Sequence, residues 1–229
     1  MDQSVLDAVK RWPDVPAVYG WLSLTARGEW KLHPLGDAQL GGAGQGITNK
    51  QILGFIGRNY SSQADGAWFF QNGPQRVYVR LDATPLILHV DPSVRAIIAH
   101  NGVTIQHILH WYCDETGQLY AQTDCGPGRI DDRDLHTIAE VLHSADGRSL
   151  FDLFELFEQE QEQSLMAKES TLSLADLSLS DPRKSYCALT EPAPLRFLRE
   201  EEIPHVLHFI PNPGPSAVHS DSLGRKIAP

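Results

Sequence analysis

Hydrophobic positions follow two different periods along this chain. Around residues 47–60 and 130–142, apolar side chains recur every three or four residues, which is the spacing of one face of an α-helix. Over residues 76–81, apolar and polar side chains alternate, as they do in a β-strand with one buried face. Because both patterns recur within one chain, the sequence predicts an α+β fold with mostly antiparallel sheets.

Each of the two predicted helices begins with a capping signal. We expect Thr48 to cap the first helix, with Gln51 completing a capping box, and Asp131 to cap the second. An Asp-Gly pair follows each helix, at Asp65–Gly66 and at Asp146–Gly147. Since a predicted hairpin precedes each helix, we interpret the chain as an internal duplication of two similar hairpin–helix–strand units. The alternative is that generic cap and turn chemistry makes two unrelated units look alike.

The same patterns give the boundaries of the units. The sequence predicts an N-terminal helix within 1–16, a first α+β unit over 17–93, a second α+β unit over 102–212 with an acidic helix at 149–168, and a flexible tail over 213–229. Residues 68–70, 76–81 and 86–90 are expected to form one antiparallel meander, because only short turns separate them. Whether residues 159–183 are ordered stays open, since their turn and cap signals are weak.

Composition and charge narrow the class of function. The 229-residue chain has 29 acidic and 19 basic side chains, so its net charge is −10. This charge argues against nucleic acid or an anionic membrane as a partner, because both attract cationic surfaces. No signal-peptide pattern and no apolar run of about 18 residues is visible, so we expect a cytoplasmic location. Cys113, Cys125 and Cys187 are then expected to be reduced.

Two local patterns resemble ligand-binding motifs, and each has a simpler interpretation. Residues 41–48 have the spacing of a phosphate-binding loop, but Ile47 stands where that loop requires lysine. His107, His110 and Cys113 are spaced three residues apart, as metal ligands on a helix could be. The surrounding residues favour a strand, on which His110 points away from the other two. We therefore expect no metal and no cofactor.

The acidic cluster Asp131, Asp132 and Asp134 also has two interpretations. It could hold a divalent cation, but a helix start favours acidic residues through its dipole without any metal. No catalytic residue is predicted. Two alternatives remain open: a hydrolase-type enzyme that uses His107 and Cys113 or the Asp131 cluster, and a structural component of a protein complex.

The densest group of aromatic and polar residues is the candidate binding site. On a two-residue period, Arg76, Tyr78 and Arg80 share the strand face opposite the core, with Trp68 or Gln71 expected beside them. Two arginines on one face favour a carboxylate or phosphate group. The leading hypothesis is a ligand- or partner-binding regulatory protein without catalytic activity, which binds a small anionic ligand or another protein. The alternative is a solvated face whose arginines pair with neighbouring acidic side chains.

Several short runs carry a resemblance to a known family. They are Tyr19–Leu24, Gly28–Trp30, Gly66–Leu81, Thr84–Pro85, Asp131–Asp134 and Phe209–Pro213. They resemble an uncharacterised proteobacterial family of unknown function, and the resemblance covers most of residues 16–213. The chain is more remotely similar to a second uncharacterised bacterial family, which implies a two-part α+β fold of repeated motifs and a regulatory or ligand-binding role. The resemblance implies no catalytic residue.

Overall fold

The computed structural model of the protein describes residues 1–166 and 177–215. The helices are α1 (Gln3–Arg11), α2 (Lys50–Arg58), α3 (Asp132–Val141), α4 (Leu150–Met166) and α5 (Ile203–Val206). The first sheet contains β1 (Val18–Leu24), β2 (Trp30–Leu32), β3 (Gln45–Gly46), β4 (Tyr60–Ser62), β5 (Trp68–Asn72) and β6 (Gln75–Leu81). The second contains β7 (Leu86–Asp91), β8 (Ala96–Ala99), β9 (Thr104–Ile105), β10 (Ile108–Cys113), β11 (Leu119–Thr123), β12 (Gly126–Ile130), β13 (His143–Ser144), β14 (Ser178–Ser180) and β15 (Ala193–Phe197). The fold is thus rich in sheet, with modest helical content.

Both sheets are mixed. The first has the strand order β3-β2-β1-β6-β5-β4, and its central pair, β1 and β6, is parallel. In the second sheet the order is β13-β14-β15-β10-β11-β12-β7-β8-β9, with parallel pairs β15–β10 and β12–β7. Read from β12 to β13, six strands of the second sheet follow the same neighbour order as the first sheet. In both cases a parallel pair joins two antiparallel three-stranded groups.

The predicted meander is wrong in its last strand. β5 and β6 pair antiparallel as expected, but β7 pairs with β8 and β12 and therefore belongs to the second sheet. Alternation along a strand indicates which face is buried, but it does not identify the neighbouring strand. The chain consequently passes from one sheet to the other between Leu81 and Leu86.

The cap of α2 is one residue later than predicted. Asn49, not Thr48, is the N-cap, because the Asn49 side chain accepts hydrogen bonds from the backbone N–H groups of Gln51 and Ile52 at 2.9 and 3.2 Å. The prediction for α3 is confirmed, since the Asp131 side chain accepts from the N–H of Arg133 at 2.9 Å. Asparagine and threonine are both good caps, so sequence preference alone could not decide between adjacent residues.

The larger of two hydrophobic clusters in the described residues contains side chains of both sheets. At its centre, Tyr60 lies edge-on to Trp30, with ring centroids 5.0 Å apart, and contacts Trp68 at 4.8 Å. His100, which follows β8, packs on the same tyrosine at 6.0 Å. Gly28 permits this insertion, because it has a φ of +79° and a Cβ there would lie 2.6 Å from the Cβ of His100.

The remaining expectations fall partly outside the described residues. α1 lies within the predicted range 1–16, and α4 covers most of the predicted acidic helix 149–168. Residues 167–176 and 216–229 are not described. The first residue of the predicted tail is held in place, because Pro213 is buried and its carbonyl accepts a hydrogen bond from the Gln39 side chain. No helix within 1–166 or 177–215 is long and apolar enough to cross a membrane.

Candidate functional site

An open apolar cleft lies between the first sheet and α2. Its volume is about 770 Å³. Its floor contains Phe70 of β5 and Phe55 of α2, whose rings meet edge to face with centroids 5.5 Å apart. Its lining also includes three apolar side chains that remain substantially exposed: Trp21 (44%), Leu32 (43%) and Ile52 (48%). Large apolar side chains exposed together around a concavity are typical of a binding site.

A bulge in β1 accompanies the unusual position of Trp21. Between Val18 and Leu22, β1 advances four residues while β6 advances only two, from Val77 to Val79. This irregularity breaks the alternation, so that the neighbours Trp21 and Leu22 both line the cleft.

Glycine is required within this bulge. Gly20 has a φ of +81°, and a Cβ at this position would lie 2.3 Å from the carbonyl oxygen of Gly36. Any larger residue would separate the bulge from the β2–β3 connection that packs against it. Sequence reasoning missed Trp21, although the adjacent apolar pair Trp21–Leu22 within an otherwise alternating strand was a usable signal.

The polar part of the cleft consists of side-chain amides. Gln45 is on β3, while Asn72 and Gln75 are at the turn between β5 and β6. Gln75 already donates a hydrogen bond to the carbonyl oxygen of Pro16, at 3.3 Å. Among the described residues, none that lines the cleft is charged. The cleft therefore offers apolar contact and neutral hydrogen-bonding groups.

Four of the five predicted site residues share the opposite face of the first sheet. Gln71 pairs with Arg76 across β5 and β6, and Tyr78 and Arg80 follow on the same side. The expected exposure is wrong for most of them. Gln71 and Tyr78 are only 3% and 7% exposed, and Arg80 forms an ion pair with Asp82 at 2.8 Å. Only Arg76 is exposed, with its guanidinium 4.8 Å from the ring centroid of Phe69.

The C-terminal segment covers this face, which explains the burial. Tyr78 stacks on Tyr19, with centroids 4.6 Å apart, and its hydroxyl donates to the Gln63 side chain. Ile210 packs against this cluster, and the N–H of Leu81 donates to the carbonyl of Pro211 at 2.7 Å. A two-residue period predicts a shared face, but it cannot predict that a segment over 100 residues later covers it.

Trp68 is separated from the other predicted site residues. It lies on the inner face of β5, where its ring packs on Tyr60 and faces Gly126 of β12. A Cβ at Gly126 would lie 3.0 Å from the indole, so glycine leaves room for this contact between the sheets. Trp68 is 6% exposed and contributes to the core.

A Ser–His–Asp network, of which the serine and the histidine are buried, lies beside the cleft. Ser23 Oγ and His33 Nε2 are 2.8 Å apart, and His33 Nδ1 lies 3.3 Å from Asp37 Oδ1. This order of atoms is that of a serine-hydrolase triad. However, Ser23 and His33 are both 0% exposed, and a Cβ on Gly44 would lie 2.8 Å from His33 Nε2. In this conformation no substrate carbonyl can reach the hydroxyl, so the network ties the chain together.

The residues of the hydrolase alternative are poorly placed for nucleophilic catalysis. Cys113 is 1% exposed, and burial raises the pKa of its thiol to about 12. A thiol of this kind stays protonated at neutral pH and is a weak nucleophile. His107 is exposed, and its backbone N–H donates to the side chain of Asp124 at 3.2 Å.

Two carboxylates of the Asp131 cluster lie close to His89. His89 Nδ1 lies 3.8 Å from Asp131 Oδ2 and 3.4 Å from Asp134 Oδ2, which is close enough for a shared cation. Arg133 already binds both oxygens of Asp131, at 2.8 and 3.0 Å, and lowers the pKa of that carboxyl. Asp134 Oδ2 also accepts from the N–H of Val90 at 3.2 Å. Asp131 and Asp134 therefore both accept hydrogen bonds from protein groups.

Comparison with known proteins identifies the family. The model of DUF2944, described as "Protein of unknown function (DUF2946)", matches residues 1–213. The chain belongs to this family. The expected membership of a family of unknown function is thereby confirmed. Comparison with curated proteins finds no match. Among solved structures, a DUF1285 family protein from Silicibacter pomeroyi DSS-3 is 15% identical, with a TM-score of 0.43, over 62% of this chain and 79% of that chain.

Proposed function

We propose that the protein binds an uncharged, largely apolar small molecule in the cleft between the first sheet and α2. The observation that carries this proposal is the exposed apolar lining, with Trp21, Leu32 and Ile52 each more than 40% exposed around the concavity. A volume of about 770 Å³ is within the roughly 300–1,000 Å³ typical of small-molecule sites. Leaving so much apolar surface in water costs stability, which a bound ligand would restore.

The lining favours a neutral ligand over the anion expected from sequence. A carboxylate or phosphate in this cleft would lose water without gaining a cationic partner from the lining, and this loss is costly. The amides of Gln45, Asn72 and Gln75 can each donate and accept hydrogen bonds. They suit a hydroxyl, carbonyl or amide group on an otherwise apolar molecule.

A fluorescence titration with Nile red tests the proposal, because this dye is neutral and largely apolar. At about 0.3 kcal/mol per heavy atom, a molecule of about 24 heavy atoms gains roughly 7 kcal/mol, which corresponds to a Kd of about 10 µM. Decanol should then displace the dye, and decanoate at pH 8 should displace it at least about tenfold less well. Equal displacement by the two compounds would contradict the assignment of a neutral ligand.

Two matched variants localise the binding. Ile52→Glu places a charge in the lining of the cleft on α2, while Leu6→Glu places one on α1, at a residue that does not line it. Both side chains are partly exposed, at 48% and 38%, so both substitutions should be tolerated by the fold. We expect Ile52→Glu to weaken dye binding at least about tenfold and Leu6→Glu to leave it unchanged. If wild-type protein does not bind the dye, or if the variants bind alike, the proposal is wrong.

A second candidate function uses the positive side chains of β6. The supporting observation is Arg76, which is exposed and has no ion pair with any residue described in 1–166 and 177–215. Together with Arg80, it could contact a phosphate or carboxylate of a small ligand or a protein partner. Trp68, Gln71 and Tyr78 would then act from the core, by supporting the strands that present the arginines.

We also infer that the two halves derive from a duplicated unit, as the repeated capping signals suggested. The common neighbour order of β1–β6 and β10–β15 supports this inference. The matched strands lie within the expected units 17–93 and 102–212, but β7, which falls in the expected first unit, is not part of the repeated order. In this interpretation α2 and α3 are equivalent helices, and β7–β9 connect the copies. A regulatory role and a cytoplasmic location remain proposals that rest on the sequence.

A further inference from the structure

One wall of the cleft belongs to a loop that has little secondary structure of its own. Residues 36–46, which we call the glycine loop, contain five glycines. The loop ends in the two-residue strand β3, and both of its residues, Gln45 and Gly46, line the cleft. Both are exposed, and in the part of the chain that the structure describes they pair only with Leu32 and Lys31 of β2. Glycines lose more conformational freedom on ordering than other residues, so this wall needs attachments elsewhere.

The Ser23–His33–Asp37 network provides the main attachment. His33 follows β2, and its backbone N–H donates to the carbonyl of Trp21 at 2.9 Å, beside the cleft. Its ring joins Ser23 of β1 to Asp37 of the glycine loop, at 2.8 and 3.3 Å. The backbone carbonyl of Asp37 then accepts from the N–H groups of Leu40 and Gly42, at 3.0 and 3.1 Å. A continuous chain of hydrogen bonds thus connects β1 to the loop.

Close packing fixes the far side of the loop on the same ring. A Cβ on Gly44 would lie 2.7 Å from His33 Cε1 and 2.8 Å from Nε2, so the loop backbone contacts the imidazole directly. A second attachment comes from the C-terminal segment. The Gln39 side chain donates to the carbonyl of Pro213 at 2.6 Å, and the Asn212 side chain donates to the carbonyl of Gln39 at 3.1 Å.

We propose that His33 is a positioning residue for the cleft: it holds the glycine loop as a wall and thereby sets ligand affinity without touching the ligand. This inference rests on the proposed function of the cleft. The contacts support this proposal. His33 does not itself line the cleft, but it follows β2 and is bonded to β1 and to the glycine loop, all three of which contribute residues to the lining. Ser23, His33 and Asp37 have the hydrogen-bonding order of a catalytic triad, but here they hold a loop in place.

Two glycines of the same loop provide a matched test. Gly44 and Gly41 have positive φ angles of +62° and +80°, so alanine strains the backbone at both. A Cβ on Gly44 meets the His33 ring, while a Cβ on Gly41 meets nothing within 4 Å. We expect Gly44→Ala to raise the Nile red dissociation rate and Kd at least about fivefold, the size of one lost buried contact, and Gly41→Ala to change them less than about twofold.

Hydrogen exchange of the loop separates the two hypotheses. Amides of residues 36–46 should exchange at least about fivefold faster in Gly44→Ala than in Gly41→Ala, whether or not the dye binds. If wild-type protein fails to bind the dye, the proposed function is wrong, and only the exchange data then test whether His33 anchors the glycine loop. Equal exchange in the two variants overturns the anchoring. Faster exchange with unchanged dye kinetics overturns the link between anchoring and affinity.

A conservative substitution distinguishes positioning from general destabilisation. Asp37→Asn keeps an oxygen that can accept from His33 Nδ1, whereas Asp37→Ala removes it. We expect Asp37→Asn to keep the dye Kd within about twofold of wild type, and Asp37→Ala to raise it about fivefold. Ser144→Ala is the control. It removes a buried hydroxyl of the second sheet that also forms hydrogen bonds, and it should leave the dye Kd unchanged. If it weakens the dye as much as Asp37→Ala, the positioning role is refuted.

Discussion

The N-cap of α2 permits a sharp prediction, because two adjacent residues compete for the role. The Asn49 side chain satisfies two backbone N–H groups that have no partner within the helix, those of Gln51 and Ile52. Asn49→Ala removes both bonds and leaves these groups to water. We expect it to lower the free energy of unfolding by about 1 kcal/mol, the usual cost of replacing an N-cap by alanine. For a chain of this size, this corresponds to a decrease in Tm of about 2–4 °C.

Thr48→Ala is the matched control. Thr48 is exposed and precedes the cap, so its replacement should change the free energy of unfolding by less than about 0.5 kcal/mol. Asn49→Asp should keep the stability of the wild type, because aspartate accepts the same hydrogen bonds and its negative charge interacts favourably with the helix dipole. Urea denaturation, followed by circular dichroism at pH 7, measures all three variants. If Thr48→Ala costs as much as Asn49→Ala, the cap assignment is refuted.

Two further predictions concern charge. Burial lowers the pKa of His100 to about 3, while histidine in an unfolded chain has a pKa of about 6.5. Between these two values the unfolded chain binds more protons than the folded chain, so stability should fall as the pH decreases through this interval. His100→Gln should flatten this fall when urea midpoints at pH 7 and 4.5 are compared, and an unchanged pH dependence would contradict the assignment. Arg76→Gln should leave Tm almost unchanged, while Arg80→Gln should lower it slightly, by loss of the Asp82 ion pair. The opposite ranking in a thermal melt would place Arg76 in a structural role.

Features that depend on neighbouring residues in the sequence were predictable. Asp131 was identified as a cap because its helix begins directly after it, and the side-chain geometry agrees. The alternation at β6 correctly placed Arg76, Tyr78 and Arg80 on one face. Caps and strand faces depend on the period and chemistry of a few adjacent residues, so the sequence contains the information they need.

Features that depend on distant segments were not predictable. The exposure of Tyr78 depends on Ile210, and the sheet of β7 depends on its pairing with β12. The cleft was missed for a related reason. It forms where the bulge at Gly20, the glycine loop and one face of α2 come together. No periodic pattern in the sequence indicates that these three segments are neighbours. The triad-like arrangement of Ser23, His33 and Asp37 was also not recognisable from the sequence. Whether such an arrangement is catalytic or structural depends on how far its side chains are buried.

The parallel strand pairs have a consequence for synthesis of the chain on the ribosome. The first sheet can close once Leu81 has emerged, because β1 pairs with β6, whereas the pair of β10 and β15 must wait for residues 193–197. The segment that covers the outer face of the first sheet, near Ile210, emerges later still. Until it emerges, Phe69 and Tyr78 lack the contact with Ile210 that covers them in the folded protein. This is the interval in which a nascent chain is most exposed to aggregation and to chaperones.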